Sequence, residues 1–186
     1  MMIYIALLRG VNVGGKNKIK MARLRHTLEA MGISRVQTYI QSGNILFESN
    51  GEEEPLQKQI EKIIEKEFGF VVSVVLRTAT ELEKIIWNCP FPEKDMYEAK
   101  TSAIGESLYV ALMPESLSQK SIERLSRYKI EQETYQIEGR EIYLLFHHSI
   151  RNSKLGSNLQ KLGIPVTIRN WKTLNKLATI ANAMNI

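Results

Sequence analysis

One order of apolar runs and amphipathic segments is played through twice in this chain, at a spacing of about 100 residues. That repetition constrains the fold more than any single motif does. In the first pass, residues 3–8 (IYIALL) form a short apolar run rich in β-formers that ends at a glycine-rich loop, the pattern of a buried strand. Met21, Leu24, Leu28 and Met31 then recur at i, i+3, i+7 and i+10, one face of a helix, with Gly32 where a C-terminal cap belongs. Residues 36–40 and 45–47 flank Ser42-Gly43-Asn44, a hairpin signal. Pro55 is expected to open the next helix, where its missing N–H costs nothing. Leu56, Ile60, Ile63 and Ile64 line the apolar face of that helix, and Gly69 ends it. Residues 71–76 (VVSVVL) complete a β-α-β-β-α-β unit, the ferredoxin-like plan.

Thr80 and Glu83 have the spacing of a capping box for a short helix carrying Leu82, Ile85 and Ile86. Asn88-Cys89-Pro90-Phe91-Pro92 breaks it, and an acidic, irregular stretch is expected to run to about Glu106 as a linker. The pattern then starts again. Residues 108–113 (LYVALM) are a strand, residues 117–128 a helix with Leu117, Ile122 and Leu125 inward, and residues 134–137 and 141–146 a hairpin across Glu138-Gly139-Arg140. Leu155, Leu159 and Leu162 mark another helix, which stops at Gly163, and residues 166–169 a last strand. An extra helix carrying Leu174, Leu177, Ile180 and Met184 follows. The expected class is α+β: two tandem ferredoxin-like (βαββαβ) subdomains, an alpha-beta plait repeated. Residues 1–78 form the first, 79–106 a helix and linker, and 107–186 the second with its extra C-terminal helix.

Composition bounds what such a chain does. Among 186 residues, 44% hydrophobic and 24% charged is a globular balance, ample for buried cores. No apolar run approaches the ~20 residues of a membrane span. The opening segment is apolar too briefly for a leader and is expected to be a strand. Cys89 is the one cysteine, which excludes an intrachain disulfide and a cysteine-rich metal site. A cytoplasmic protein is expected. The net charge of +5 is spread unevenly: residues 1–50 carry seven Lys/Arg against two Asp/Glu, residues 51–106 seven against twelve, and residues 107–186 eleven against six. A pI near 9.3 is compatible with a polyanionic partner, and equally with a small basic protein that has none.

The most distinctive segment is the loop 9–18, which follows a strand and precedes a helix, where backbone N–H groups and the helix dipole favour an anion. Gly14 and Gly15 would let a ligand approach the backbone, while Arg9, Lys16, Lys18 and Lys20 supply positive charge and Asn12 and Asn17 supply amides. The alternative is a tight β–α connection whose glycines serve backbone geometry alone. Gly10 through Lys16 also fits the first seven positions of a P-loop, G-x-x-x-x-G-K. That match is a decoy. Asn17 replaces the Ser or Thr that would hold magnesium, and the helix pattern starts too late.

Three further spots are polar. Ser42 and Asn44 are read first as turn residues, Ser153 as a helix cap and Lys154 as solvated surface. Asn170 is placed as an N-cap, with Trp171 packing on the sheet; the functional alternative is an Arg169/Trp171 surface for a phosphate or base. Catalytic constellations are missing: no H-x-x-x-H, H-E-x-x-H or G-x-S-x-G occurs, His26 lies on the outer part of a helix pattern, and Cys89 has no identifiable base. No metal site is expected, and a cofactor is left unassigned.

Four of these segments resemble the signature segments of a bacterial family filed as domain of unknown function 1697. They are Ala6-Leu7-Leu8-Arg9-Gly10-Val11-Asn12-Val13-Gly14-Gly15-Lys16-Asn17-Lys18-Ile19-Lys20-Met21, Tyr39-Ile40-Gln41-Ser42-Gly43-Asn44, Ser153-Lys154-Leu155 and Thr167-Ile168-Arg169-Asn170-Trp171. The resemblance implies two ferredoxin-like subdomains and no assigned activity. It also implies that the polar loops meet in one site between the subdomains. The leading expectation is a protein that binds a phosphate-bearing ligand, nucleic acid or nucleotide, through loop 9–20, with Ser42, Asn44, Lys154, Arg169, Asn170 and Trp171 contributing. An RNA-recognition sheet is disfavoured, because the first strand offers only Tyr4 as an aromatic. The rivals are a small-molecule enzyme with its site in the same cleft and a structural or oligomerising module without ligand.

Overall fold

The structure, a computed structural model, describes residues 1–128 and 132–185. Strand β1 (Met2–Leu8) is central in the first sheet. It lies between β3 (Asn44–Ser49) and β4 (Val74–Thr78), with β2 (Ser34–Tyr39) outside β3 and every neighbouring pair antiparallel. Helices α1 (Met21–Ala30) and α2 (Glu53–Phe68) lie in one core with this sheet. Leu24, Leu28, Ile60 and Ile64, each fully buried, face Tyr4, Ala6 and Leu8, and the rings of Tyr4 and Phe47 stack at 5.7 Å. Gly69 caps α2 in the left-handed region at φ 79°, as the sequence implies.

The second sheet repeats this order. Strand β5 (Leu108–Leu112) lies between β7 (Glu141–Phe146) and β8 (Thr167–Asn170), with β6 (Glu133–Glu138) outside β7. Helices α5 (Gln119–Ser126) and α6 (Lys154–Leu159) share its core through Leu125, Leu155 and Leu159. Three more helices complete the seven among the described residues: α3 (Ala79–Trp87), α4 (Glu93–Ser102) and α7 (Trp171–Met184). Mixed α/β with two four-stranded antiparallel sheets is compatible with two ferredoxin-like subdomains. By compactness the chain divides into Met1–Lys84 with Asn175–Ile186, and Ile85–Leu174.

The structure departs from the sequence expectations at three places. Pro55 is the third residue of α2 and not the first; it fits there because the first four N–H groups of a helix have no intrahelical acceptor. The capping box of α3 is formed by Thr78 and Glu81, not by Thr80 and Glu83. Thr78 Oγ1 accepts from Glu81 N–H at 3.2 Å, and Glu81 Oε2 accepts from Thr78 N–H at 2.8 Å. Two T-x-x-E frames overlap in this segment, and the frame used is the one in which β4 ends at Thr78. The stretch expected to be irregular up to Glu106 is helical over α4. Its N-cap is Pro92, and its Ala99 is buried.

Each unit ends its sheet in the same way. Arg77 pairs with Ile5 across β4 and β1, and Arg169 pairs with Val110 across β8 and β5. Both arginines are buried, and in both Nη1 donates to the carbonyl of the residue before, Leu76 at 2.6 Å and Ile168 at 3.0 Å. The next residue caps the following helix: Thr78 accepts from Glu81 N–H, and Asn170 accepts from Thr173 N–H at 2.8 Å. This shared strand-to-helix corner is structural evidence of the repeat that residue identity hides.

The hairpin turn between β2 and β3 depends on one glycine. Gly43 has φ 77°, and a Cβ there would stand 2.5 Å from Val11 Cγ2 and 2.7 Å from Leu8 Cβ. Gly43→Ala is expected to destabilise by about 3 kcal/mol, combining left-handed strain with overpacking. Gly14→Ala, with φ 59° but open space around its Cβ, should cost only about 1 kcal/mol. Urea denaturation of the two variants checks the difference.

Candidate functional site

Loop 9–20 is held at both ends and at its middle. Leu8 N–H donates to Gly43 O at 2.8 Å, and Arg9 N–H donates to Ser73 O at 2.9 Å, so the loop leaves the sheet beside the β2–β3 turn. Its tip is Val13-Gly14-Gly15-Lys16. Both glycines have positive φ, 59° and 76°, and Lys16 N–H donates to Val13 O at 3.1 Å. Two successive residues with positive φ define the type I′ turn, which favours glycine at both places. The glycines thus supply the backbone conformation of this turn. Gly14, Gly15, Lys16 and Lys18 are exposed.

Asn12 fastens the loop. Its Nδ2 donates to Ile19 O at 2.9 Å and to Gln41 O at 2.7 Å, and its Oδ1 accepts from Ile19 N–H at 2.9 Å. Asn17 Nδ2 donates to Gly10 O at 3.3 Å. Both asparagines have left-handed backbones, φ 55° and 47°, a conformation that asparagine tolerates best among non-glycine residues. In the neighbouring turn, buried Asn44 donates to Tyr39 O at 3.1 Å and to Ser42 Oγ at 2.9 Å. Asn12, Asn17 and Asn44 therefore commit side-chain amides to loop structure, and Ser42 accepts within its own turn. The loop and the Tyr39-to-Asn44 segment come together in the first unit through these bonds.

Beside them is an open groove of about 700 Å³. Asn12, Gly15, Lys18 and Ile19 line it from the loop, and Lys20 and Arg23 from the start of α1. Gln41 from the hairpin turn and Phe68 from the end of α2 complete the lining. Lys20 occupies the N-cap of α1, no side chain caps that helix, and no acidic residue stands in its first turn. Its leading N–H groups and its dipole add positive potential at the groove. Arg23 is oriented by two neighbours. Its Nε and Nη2 donate to Glu67 Oε1 at 3.1 and 2.7 Å, and its guanidinium carbon lies 5.2 Å from the Phe68 ring centroid.

Arg23 and Phe68 escaped the sequence reading, and Gln41 entered it only within the Tyr39-to-Asn44 segment. Lys20 and Arg23 do stand three residues apart on the α1 pattern, and Phe68 extends the α2 stripe four residues beyond Ile64. Nothing in the sequence says that these two stripes share a groove.

Lys154, Arg169, Asn170 and Trp171 belong to the second unit. Ser153 caps α6, accepting from Gly156 N–H at 2.8 Å, and Lys154 is exposed on its first turn. The Arg169 guanidinium is buried and donates to Thr167 Oγ1 at 2.9 Å. Desolvation lowers its pKa to about 10, which leaves it cationic at neutral pH. Asn170 is occupied as the cap of α7. Half-buried Trp171 lines a second open groove of about 490 Å³ with Met96, Lys100, Leu108 and Lys172 among others.

One polar cluster lies outside the expected set. Buried Glu133 receives Leu155 N–H at 3.1 Å and His148 Nε2 at 2.9 Å, while His148 Nδ1 is 2.9 Å from Ser149 O. This cluster joins β6, the end of β7 and the start of α6. Cys89 is half-buried, with Sγ 3.9 Å from Met96 Sδ. Burial pushes its thiol pKa up, against the lowering effect of a backbone hydrogen bond at Phe91, so it is a poor nucleophile. Among the described residues no three His, Cys, Asp or Glu side chains are grouped as a metal site, and no helix is long and apolar enough to cross a membrane.

A mixed α/β chain with two antiparallel sheets and a basic loop packed on a hairpin turn is thus the kind of protein at hand. It belongs to the family described as "Protein of unknown function (DUF1697)", which matches residues 1–143. That span holds the whole of the first groove and ends before Ser153 and Arg169. Among solved structures the chain is similar to the conserved bacterial protein SP0830 from Streptococcus pneumoniae. The identity is 27% and the TM-score 0.73, over 97% of this chain and 98% of that one. No curated protein matches.

The role of Asn12 as a fastener has a measurable consequence. Asn12→Ala removes three hydrogen bonds at about 1 kcal/mol each, so a loss of about 2–3 kcal/mol is expected. Amide hydrogen exchange should show faster exchange at Ile19 than in the unchanged second sheet.

Proposed function

We propose that this protein binds a phosphate-bearing ligand in the open groove of its first unit. The observation that carries the reading is the groove's lining: Lys18, Lys20 and Arg23 converge there, and none of the described residues that line it is acidic. Neither Lys18 nor Lys20 has an ion-pair partner among the described residues. An anion would relieve the repulsion between these charges and accept from the uncapped N–H groups of α1. The tip of loop 9–20, fixed by its I′ turn and by Asn12, would hold Lys16 and Lys18 at the rim without a large ordering cost on binding.

Binding is favoured over catalysis by the same lining. Among the described residues it offers cations, amides and apolar surface, but no carboxylate, imidazole or thiol to move a proton. Arg9, Gly14, Gly15 and Lys16 act in this reading as the loop that shapes the rim. Asn12, Asn17, Ser42 and Asn44 act by holding it in place. Arg169 is assigned to structure, since its guanidinium is buried against Thr167.

The test is a thermal-shift series with phosphate-bearing metabolites and nucleotides at several salt concentrations. A ligand held at 100 times its dissociation constant should stabilise by ~2.7 kcal/mol. The double variant Lys18→Ala/Lys20→Ala is expected to weaken that ligand about tenfold or more, ~1.4 kcal/mol, with a shallower salt dependence. If no phosphate-bearing compound stabilises the protein at millimolar concentration in low salt, the reading is wrong.

A further inference from the structure

We infer that the ligand of this groove is a nucleotide, whose base stacks on the guanidinium of Arg23 while its phosphate is held by Lys18 and Lys20. The inference rests on the reading of the groove as a phosphate site. It comes from a difference among the three cations. Lys18 and Lys20 are exposed, flexible point charges, suited to an anion. Arg23 is built differently. Its side chain is 59% exposed, yet one edge of the guanidinium is taken by Glu67 Oε1 and its central carbon lies over the Phe68 ring, 5.2 Å from the centroid.

Two consequences follow. The carboxylate 2.7 Å from Nη2 offsets the charge of Arg23, which makes this residue a poorer phosphate ligand than either lysine. The same contacts hold a flat, delocalised cation in place before any ligand arrives. An exposed arginine ordinarily surrenders much rotamer freedom when a ligand fixes it, and here that ordering is already done. A fixed guanidinium plane at a groove is a stacking platform for a conjugated ring, a role in which arginine serves in nucleic-acid recognition. Lys20 and Arg23 are three residues apart, about 4.5 Å of helix rise, so phosphate and ring sites lie side by side along the start of α1.

The experiment uses the full chain and three probe classes: inorganic phosphate, ribose 5-phosphate and the four nucleoside 5′-monophosphates. Dissociation constants are measured by isothermal titration calorimetry for the unaltered protein and for Arg23→Lys, which keeps the charge and removes the plane. At least one monophosphate is expected to bind tenfold or more tightly than ribose 5-phosphate. Arg23→Lys should erase that advantage, weakening the monophosphate by far more than it weakens ribose 5-phosphate. Circular dichroism and a melting curve confirm that Arg23→Lys, an exposed position, keeps the fold. If ribose 5-phosphate binds as tightly as every monophosphate, the nucleobase is not recognised and this inference fails while the phosphate reading stands. If Arg23→Lys weakens sugar phosphate and nucleotide equally, Arg23 is a charge contact and the stacking assignment is overturned. Absence of binding by all three classes overturns the groove itself.

Discussion

The central strands of this protein are buried on both faces, and much else depends on that. Ile3 through Leu8 are all buried in β1, and so are Val110, Ala111 and Leu112 in β5. A sheet covered by two helices on one side would alternate apolar and polar along its strands. A sheet covered on both sides does not, and its strands read as continuous apolar runs. Tyr4, Ala6 and Leu8 face the core shared with α1 and α2, while Ile3, Ile5 and Leu7 point the other way and are equally dry. Two helices per sheet cannot supply both coverings. Among the described residues the chain carries three helices beyond the repeated unit, and Leu82, Leu177, Ala181 and Met184 are buried residues of these.

Burial of the second face also explains the arginines at the end of each sheet. Arg77 and Arg169 fall on the face away from the α1/α2 and α5/α6 cores, since Leu76 and Ile168 beside them pack into those cores. A guanidinium in such a place needs acceptors, and backbone carbonyls at a strand end provide them before the helix begins. Tyr143 meets the same requirement in the second unit. Its hydroxyl donates to Ile85 O at 2.6 Å, and burial lifts the phenol's pKa well above its ordinary value, so it remains a neutral donor.

The candidate site depends on a second, local constraint: the close approach of Leu8 and Gly43. With β1 and β3 in register, the turn that starts β3 lies against the loop that leaves β1. Asn12 spans the remaining distance to Gln41. The glycines, asparagines and Ser42 of these segments were visible in the sequence as a set of unusual residues. Their division of labour was not. Backbone conformations of 47° to 77° at Asn12, Asn17, Gly14, Gly15 and Gly43 show which of them shape the chain. The side chains of Lys16, Lys18 and Lys20 face solvent. Phe68 and Arg23 were invisible as site residues, because their proximity arises from α1 and α2 lying side by side, some 45 positions apart.

What the sequence by itself determined is whatever a local period or a local cap encodes. Strand runs, helix stripes, the Gly69 stop, the Ser153 and Asn170 caps and the order of elements apart from α4 were legible, because each rests on residues within a turn or two of one another. Even there, overlapping local signals could not be ranked. Thr78 and Thr80 both fit the capping pattern, and only the end of β4 chose between them. Tertiary structure decided the remainder: the burial of Arg169, the helix of Glu93–Ser102 within the stretch taken for a linker, and the groove beside Lys18, Lys20 and Arg23. Each of these depends on what packs against a segment from far along the chain, and a periodicity read within one segment holds no information about its neighbour.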